Sequence, residues 1–93
     1  MPWFKLLTMF LFETILFDNR IPSYYRVYFQ EGRYYLEAIR LDYYKHVSFP
    51  DFFIRETEPG KWEAEGTNNP ELIKQAVEDI RKFAPAQKTE ALA

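Results

Sequence analysis

His46 is the only histidine in the chain. Its neutral imidazole could serve as a general base or a metal ligand. Asp42 and Asp51 lie near it in sequence, and Ser48 follows closely. Nothing in the spacing sets a nucleophile beside the imidazole, and no loop of the oxyanion-binding kind accompanies Ser48. Cysteine is absent, so thiolate chemistry, disulfides and zinc sites of His/Cys spacing are excluded. Glu56, Glu58, Glu63 and Glu65 cluster around one expected hairpin. Alternating carboxylates on strands ordinarily form a solvated face, and the acid spacing of a calcium loop is missing. The three glycines all sit at or beside turns, leaving no loop to cradle a phosphate. The expectation is a chain with no catalytic residues, no metal and no cofactor.

The elements that would position any site are few. The 93 residues suffice for one domain and not for two. A domain this small buries only about 60–65% of the surface its unfolded chain exposes, so association with another surface would help it. Lysine and arginine number 12 against 14 acids, for a net charge of −2. That balance gives no electrostatic footprint for duplex nucleic acid. Aromatic residues make up 19% of the chain, too many for a disordered polymer and of the types that favour strands and interfaces.

Asn69 to Phe83, NPELIKQAVEDIRKF, carries the clearest pattern. Pro70 suits the first helical position, where its missing N–H costs nothing. Asn69 is then the N-cap, its side-chain oxygen accepting from an exposed backbone N–H. Leu72, Ile73, Ala76, Val77, Ile80 and Phe83 fall on one side at helical spacing, and Glu71, Lys74, Gln75, Glu78, Arg81 and Lys82 on the other. Pro85 is expected to end the helix, with Arg81 and Lys82 in its last turn.

Two hairpins are expected before it. YYRVYFQ and RYYLEAIRL flank Glu31-Gly32, a two-residue loop with glycine second. That loop sets Phe29 opposite Tyr34, Val27 opposite Leu36 and Tyr25 opposite Ala38 on one face. The other face pairs Tyr28 with Tyr35, Arg26 with Glu37 and Tyr24 with Ile39. A slip of one residue would spoil both faces together. The second hairpin, FFIRET and KWEAEG around Glu58-Pro59-Gly60, sets Glu56 opposite Trp62, Arg55 opposite Glu63 and Ile54 opposite Ala64. Phe52, Ile54, Trp62 and Ala64 then face the helix. A three-residue loop there conflicts with the extended backbone that a residue before proline prefers. Residues 43–51 read either as a continued strand or as a loop, and Pro50 argues against a central strand.

Residues 1–17, MPWFKLLTMFLFETILF, are apolar nearly all round. They suit neither a secretory signal nor a spanning helix, being too short and carrying Lys5 and Glu13. Three readings stand: a helix or strand covering the sheet, an interfacial membrane anchor through residues 3–17, or a poorly ordered extension read from a start codon placed too far upstream, with Met9 inside it. The division expected is residues 1–20 as an apolar segment, 21–84 as a single domain and 85–93 as a flexible tail.

The fold class is thus α+β: a four-stranded antiparallel meander, two hairpins, packed on one C-terminal helix, with an apolar N-terminal segment that is helical in one reading. One helix covers one face only. The far face of the first hairpin carries Tyr24, Arg26, Tyr28, Tyr35, Glu37 and Ile39, with Leu41 beyond. Three occupants could shield it: the N-terminal segment; a second copy of the chain; or a peptide, small molecule or single-stranded nucleic acid bound there. The expectation is a non-enzymatic domain acting by self-association or protein partner binding through this face. Its expected location is cytoplasmic, with membrane association if residues 3–17 are an anchor.

Ser48 to Asp51, SFPD, followed by EGTNNPELIKQAVEDI, resembles the small HicB-type antitoxin domain, in which a hairpin reaches a Phe-Pro-Asp-like turn before a further strand, a Gly-x-Thr and a helix. The resemblance covers less than half of the chain and implies a small regulatory, partner-binding protein. The Trp62 hairpin and the lack of a DNA-binding segment depart from that family.

Overall fold

The computed structural model describes the backbone of residues 8–39 and 49–92, with side chains as far as residue 83. His46, Leu41, Asp42 and Ser48 lie outside the described residues, as does most of the 43–51 stretch. Among the described residues, five strands form one antiparallel sheet in chain order: β1 (Thr8–Asp18), β2 (Ile21–Gln30), β3 (Arg33–Ile39), β4 (Phe52–Glu58) and β5 (Lys61–Glu65). One helix, α1 (Pro70–Leu92), packs against one face.

The expected meander gains a strand, because most of the apolar N-terminal segment is β1. Its register runs from Thr8↔Gln30 to Asp18↔Ile21, with a bulge between Phe10 and Phe12. Asn19 and Arg20 make the turn with φ of 53° and 70°, the doubly left-handed pattern of a two-residue hairpin whose twist matches its strands. Leu16 is wholly buried, so this segment belongs to the core of the domain.

Both expected hairpins form in the expected register. The pairs Tyr24↔Ile39 through Phe29↔Tyr34 are all present, closed by Glu31 and Gly32 at φ 51° and 81°. In the second, Ile54↔Ala64, Arg55↔Glu63 and Glu56↔Trp62 pair as read, and Glu58↔Lys61 closes the loop after a bulge at Thr57. The loop is therefore two residues, Pro59-Gly60, not three. Gly60 has φ +81°, so proline then left-handed glycine follows the type II preference, and Glu58 stays extended as a residue before proline should. At the far end of β5, Gly66 has φ +104°, and a Cβ there would come within 2.8 Å of the Asp51 carbonyl oxygen. That close approach lets β5 leave the sheet beside the start of β4.

The core lies between the sheet and α1. Leu16, Tyr25, Val27, Leu36, Phe52 and Ile54 from the strands meet Leu72, Ala76 and Ile80 from the helix. The Asn69 side chain accepts from the Glu71 N–H at 3.0 Å, and the Asn69 carbonyl takes the first helical bond from Ile73. The helix does not end at Pro85 but continues to Leu92. A proline forfeits one backbone bond and clashes one turn back. The residues that follow it, AQKTEAL, are mostly strong helix formers, so the helix resumes. Arg81 and Lys82 are consequently not in its last turn, which holds no basic residue.

The helix runs antiparallel to β1 and lays a polar row along it. Glu71, Gln75 and Asp79, spaced four apart, meet Asn19, Phe17 and Thr14 in turn. Gln75 is the principal contact: its Oε1 accepts from the Phe17 N–H at 2.9 Å, and its Nε2 donates to the Phe17 carbonyl at 2.6 Å. Phe17 stands opposite Pro22, one step from the bonded pair beside the turn, so its main-chain groups point to the free edge of the sheet. The Gln75 amide supplies there the two bonds a neighbouring strand would make.

Candidate functional site: the aromatic outer face

On the side of the sheet away from α1, alternation along each strand sets the side chains in cross-strand rows. The first row holds Phe10 of β1, Tyr28 of β2, Tyr35 of β3 and Phe53 of β4. Ring centroids are 5.7 Å apart for Phe10–Tyr28, 6.0 Å for Tyr28–Tyr35 and 4.8 Å for Tyr35–Phe53. The Arg33 guanidinium carbon lies 3.9 Å from the Phe53 ring centre, and Arg33 also pairs with Glu65 at 3.2 Å. Aromatic rings thus cross four strands in sequence and end under a cation, the arrangement that the ring quadrupole favours.

The next row is charged: Glu13, Arg26 and Glu37 on β1, β2 and β3. Beyond it come Ile15, Tyr24 and Ile39, then Phe17 and Pro22. Phe10, Ile15, Phe17 and Tyr24 are between 41% and 52% exposed. A face of large apolar side chains this open exceeds the scattered surface residues of an ordinary monomer.

All six expected face residues, Tyr24, Arg26, Tyr28, Tyr35, Glu37 and Ile39, stand on this side. The sequence reading missed Phe10, Ile15, Phe17, Phe53 and Arg33, which the structure adds to the same surface. Of the three occupants considered, the segment running from Thr8 to Asp18 does not lie over the face. It pairs edge to edge with β2 and extends it.

The tyrosine hydroxyls are drawn into hydrogen bonds with acids. Tyr28 donates to Glu37 Oε1 at 3.2 Å, and Tyr35 is 3.5 Å from Asp51 Oδ2. Burial, and then the nearby carboxylate of Glu37, pushes the Tyr28 phenol above its ordinary pKa of 10.0. Burial, then Asp51 and Glu37, does the same for Tyr35. Asp51 Oδ1 also accepts from the Ala38 N–H at 2.8 Å. It takes the place of a ladder partner beyond the short β3–β4 pairing, which spans Tyr34↔Ile54 to Leu36↔Phe52.

Near β5 a shallow groove of about 670 Å³ opens between Glu31, Arg33, Phe53, Arg55, Glu63 and Glu65. Arg33 and Arg55 are already paired with Glu65 and Glu63. The groove therefore offers an anion little, and it serves as a polar rim to the aromatic row. Among the described residues, no three histidines or acids are grouped so as to hold a metal ion. No helix among them is long and apolar enough to cross a membrane.

No protein-family model, curated protein or solved structure matches this chain. The resemblance to antitoxin domains accordingly gains no support from comparison.

Proposed function

We propose that this chain is a binding module, without catalysis of its own, that works by pressing the aromatic outer face of its sheet against another protein surface. The observation that carries this reading is the continuous ring row Phe10–Tyr28–Tyr35–Phe53 beside exposed Ile15, Phe17 and Tyr24. Tyrosine and phenylalanine flanked by arginine are the composition of interface cores, where large rigid rings contribute area at little entropic cost. The other face of the sheet packs against α1, so the reverse is where association has more to gain.

Replacing Tyr28 and Tyr35 together by glutamate tests the reading. The pair lies outside the buried core, so cooperative unfolding and the far-ultraviolet spectrum should persist. Association should be lost, seen as a smaller mass in light scattering at high concentration or as loss of a protein that the wild type retains in a pull-down. A doubly substituted protein that folds and associates as the wild type does would place the contact elsewhere.

A further inference from the structure

Resting on that reading, we propose that the partner surface is the same face of a second copy. The two sheets would meet across a two-fold axis that runs parallel to the strands, over the boundary between β2 and β3.

Charge complementarity selects this axis. A two-fold contact matches the face against itself, so every row and strand must tolerate its image. An axis running across the strands sets Arg26 on Arg26 and Glu37 on Glu37. Moved to the Tyr28–Tyr35 row, it sets Glu37 against Arg33, which Glu65 and the Phe53 ring already hold, leaves Arg26 against Gln30 with no acid, and puts Ile15, Tyr24 and Ile39 outside the contact. An axis along β2 or along β3 again brings like charges together. An axis between β1 and β2 matches Glu13 with Arg26 but uses only half of the face.

The axis between β2 and β3 pairs both central charges across the contact and keeps the ring row on itself. Arg26 of each copy then meets Glu37 of the other, twice. Tyr28 meets Tyr35, Phe10 meets Phe53, Tyr24 meets Ile39 and Gln30 meets Arg33, each also twice, following the observed registers. The one unfavourable match, Glu13 against Asp51, falls at the periphery. There the Asp51 carboxylate already accepts the Ala38 N–H within its own chain. Stacked sheets keep their strands within about 30° of each other, so the match is closest near the axis, where the Arg26–Glu37 pairs lie.

The area fits a modest dimer. Four strands and five rows would span at most about 19 Å by 27 Å, roughly 500 Å² in projection, and β4 pairs with β3 only from Tyr34↔Ile54 to Leu36↔Phe52, so it does not reach every row. A standard interface takes about 800 Å² from each partner. The dimer should therefore be weak and concentration-dependent, not obligate.

A charge-complementation experiment tests the proposal on the full chain. Sedimentation velocity of the wild type should show reversible dimerisation. Arg26→Glu alone and Glu37→Arg alone should each dimerise about tenfold or more weakly, since each sets two like-charged pairs across the axis. An equimolar mixture of the two variants should recover a heterodimer close to wild-type affinity, because both crossing pairs are then opposite in sign. Arg26 and Glu37 also face each other within one chain, and a purely intrachain effect could not be rescued by mixing. Cooperative urea unfolding of each variant confirms that it is folded. A wild type that stays monomeric at every concentration overturns the second copy and leaves the binding-module reading to be decided by whether the tyrosine substitutions abolish pull-down of a protein that the wild type retains. A mixture no tighter than its components, with a dimer that is still sensitive to Tyr28 and Tyr35, overturns the axis alone.

Discussion

Replacing Gln75 by alanine probes how the helix secures the outermost strand. The Gln75 amide donates to and accepts from the Phe17 main chain, and it donates to its own helix at the Glu71 carbonyl, 3.0 Å away. A net hydrogen bond is worth about 0.5–1.5 kcal/mol, and these groups are solvent-exposed, which favours the lower end. Alanine is also the slightly better helix former, returning a few tenths of a kcal/mol. The expected cost of Gln75→Ala is therefore about 1 kcal/mol. In a domain of this size that lowers the melting temperature by about 4–8 °C. Stability alone is not specific, so the second readout is amide exchange at Phe17. Its N–H should lose protection, while that of Leu16, which faces the β2 ladder, should keep it. Gln75→Glu refines the test. The introduced carboxylate still accepts from the Phe17 N–H but opposes the Phe17 carbonyl and crowds Glu71 and Asp79 on the same helix face. Its folded pKa is raised, so the variant should regain stability as the pH falls through that value. Unchanged melting and unchanged Phe17 exchange in Gln75→Ala would refute the strand-mimic role.

Further consequences concern single groups. Arg20 holds a left-handed φ of 70°, which costs a residue with a Cβ more than it costs glycine. Arg20→Gly should therefore raise the urea midpoint by about 0.5–1 kcal/mol equivalent, as Asn-Gly suits this turn; a lower midpoint would contradict the turn assignment. Tyr28 and Tyr35 have folded pKa values raised above 10.0. Their neutral forms are thus favoured by folding: the stabilisation is complete below pH 10 and is lost as the pH climbs through the folded values. Guanidinium melts at pH 8 and pH 11 should show it, with absorbance at 295 nm following the late ionisation. Tyr28 and Tyr35 ionising without delay would tell against the partly desolvated, acid-bonded hydroxyls at this face.

The two hairpins were legible because each strand there keeps its core face and its outer face distinct. Val27 and Leu36 cannot exchange places with Arg26 and Glu37 without burying charge, so pattern and register determine one another. β1 hid its nature for the opposite reason. It supplies Phe12 and Leu16 to the core side and Phe10, Ile15 and Phe17 to the outer side, so the alternation that marks a strand disappears. An edge strand that is apolar on both sides has the composition of an anchor or a buried helix. The Pro59-Gly60 loop was misjudged by one residue, because the bulge at Thr57 absorbs what a longer loop otherwise would. Pro85 was read as a stop by a local rule, and the helix-forming residues beyond it outweighed that rule. For the candidate site, the tyrosine pairs followed from the hairpin register, whereas Phe10, Phe53 and the Arg33 cap depended on neighbours that only the assembled sheet brings together. Phe53 follows Phe52, which the hairpin pattern assigns to the core, so its outward direction was legible, whereas its place beside Tyr35 came only from the pairing of β4 with β3.

The most direct test of the account is an NMR dilution series on the aromatic ring resonances of the full chain, from about 1 mM to about 10 μM. Contact through the outer face predicts concentration-dependent shifts at Phe10, Tyr28, Tyr35 and Phe53, with the buried ring of Tyr25 unmoved, while the mass in solution falls toward 11.3 kDa. Shifts independent of concentration, in a protein that is monomeric throughout, would contradict contact between copies through this face.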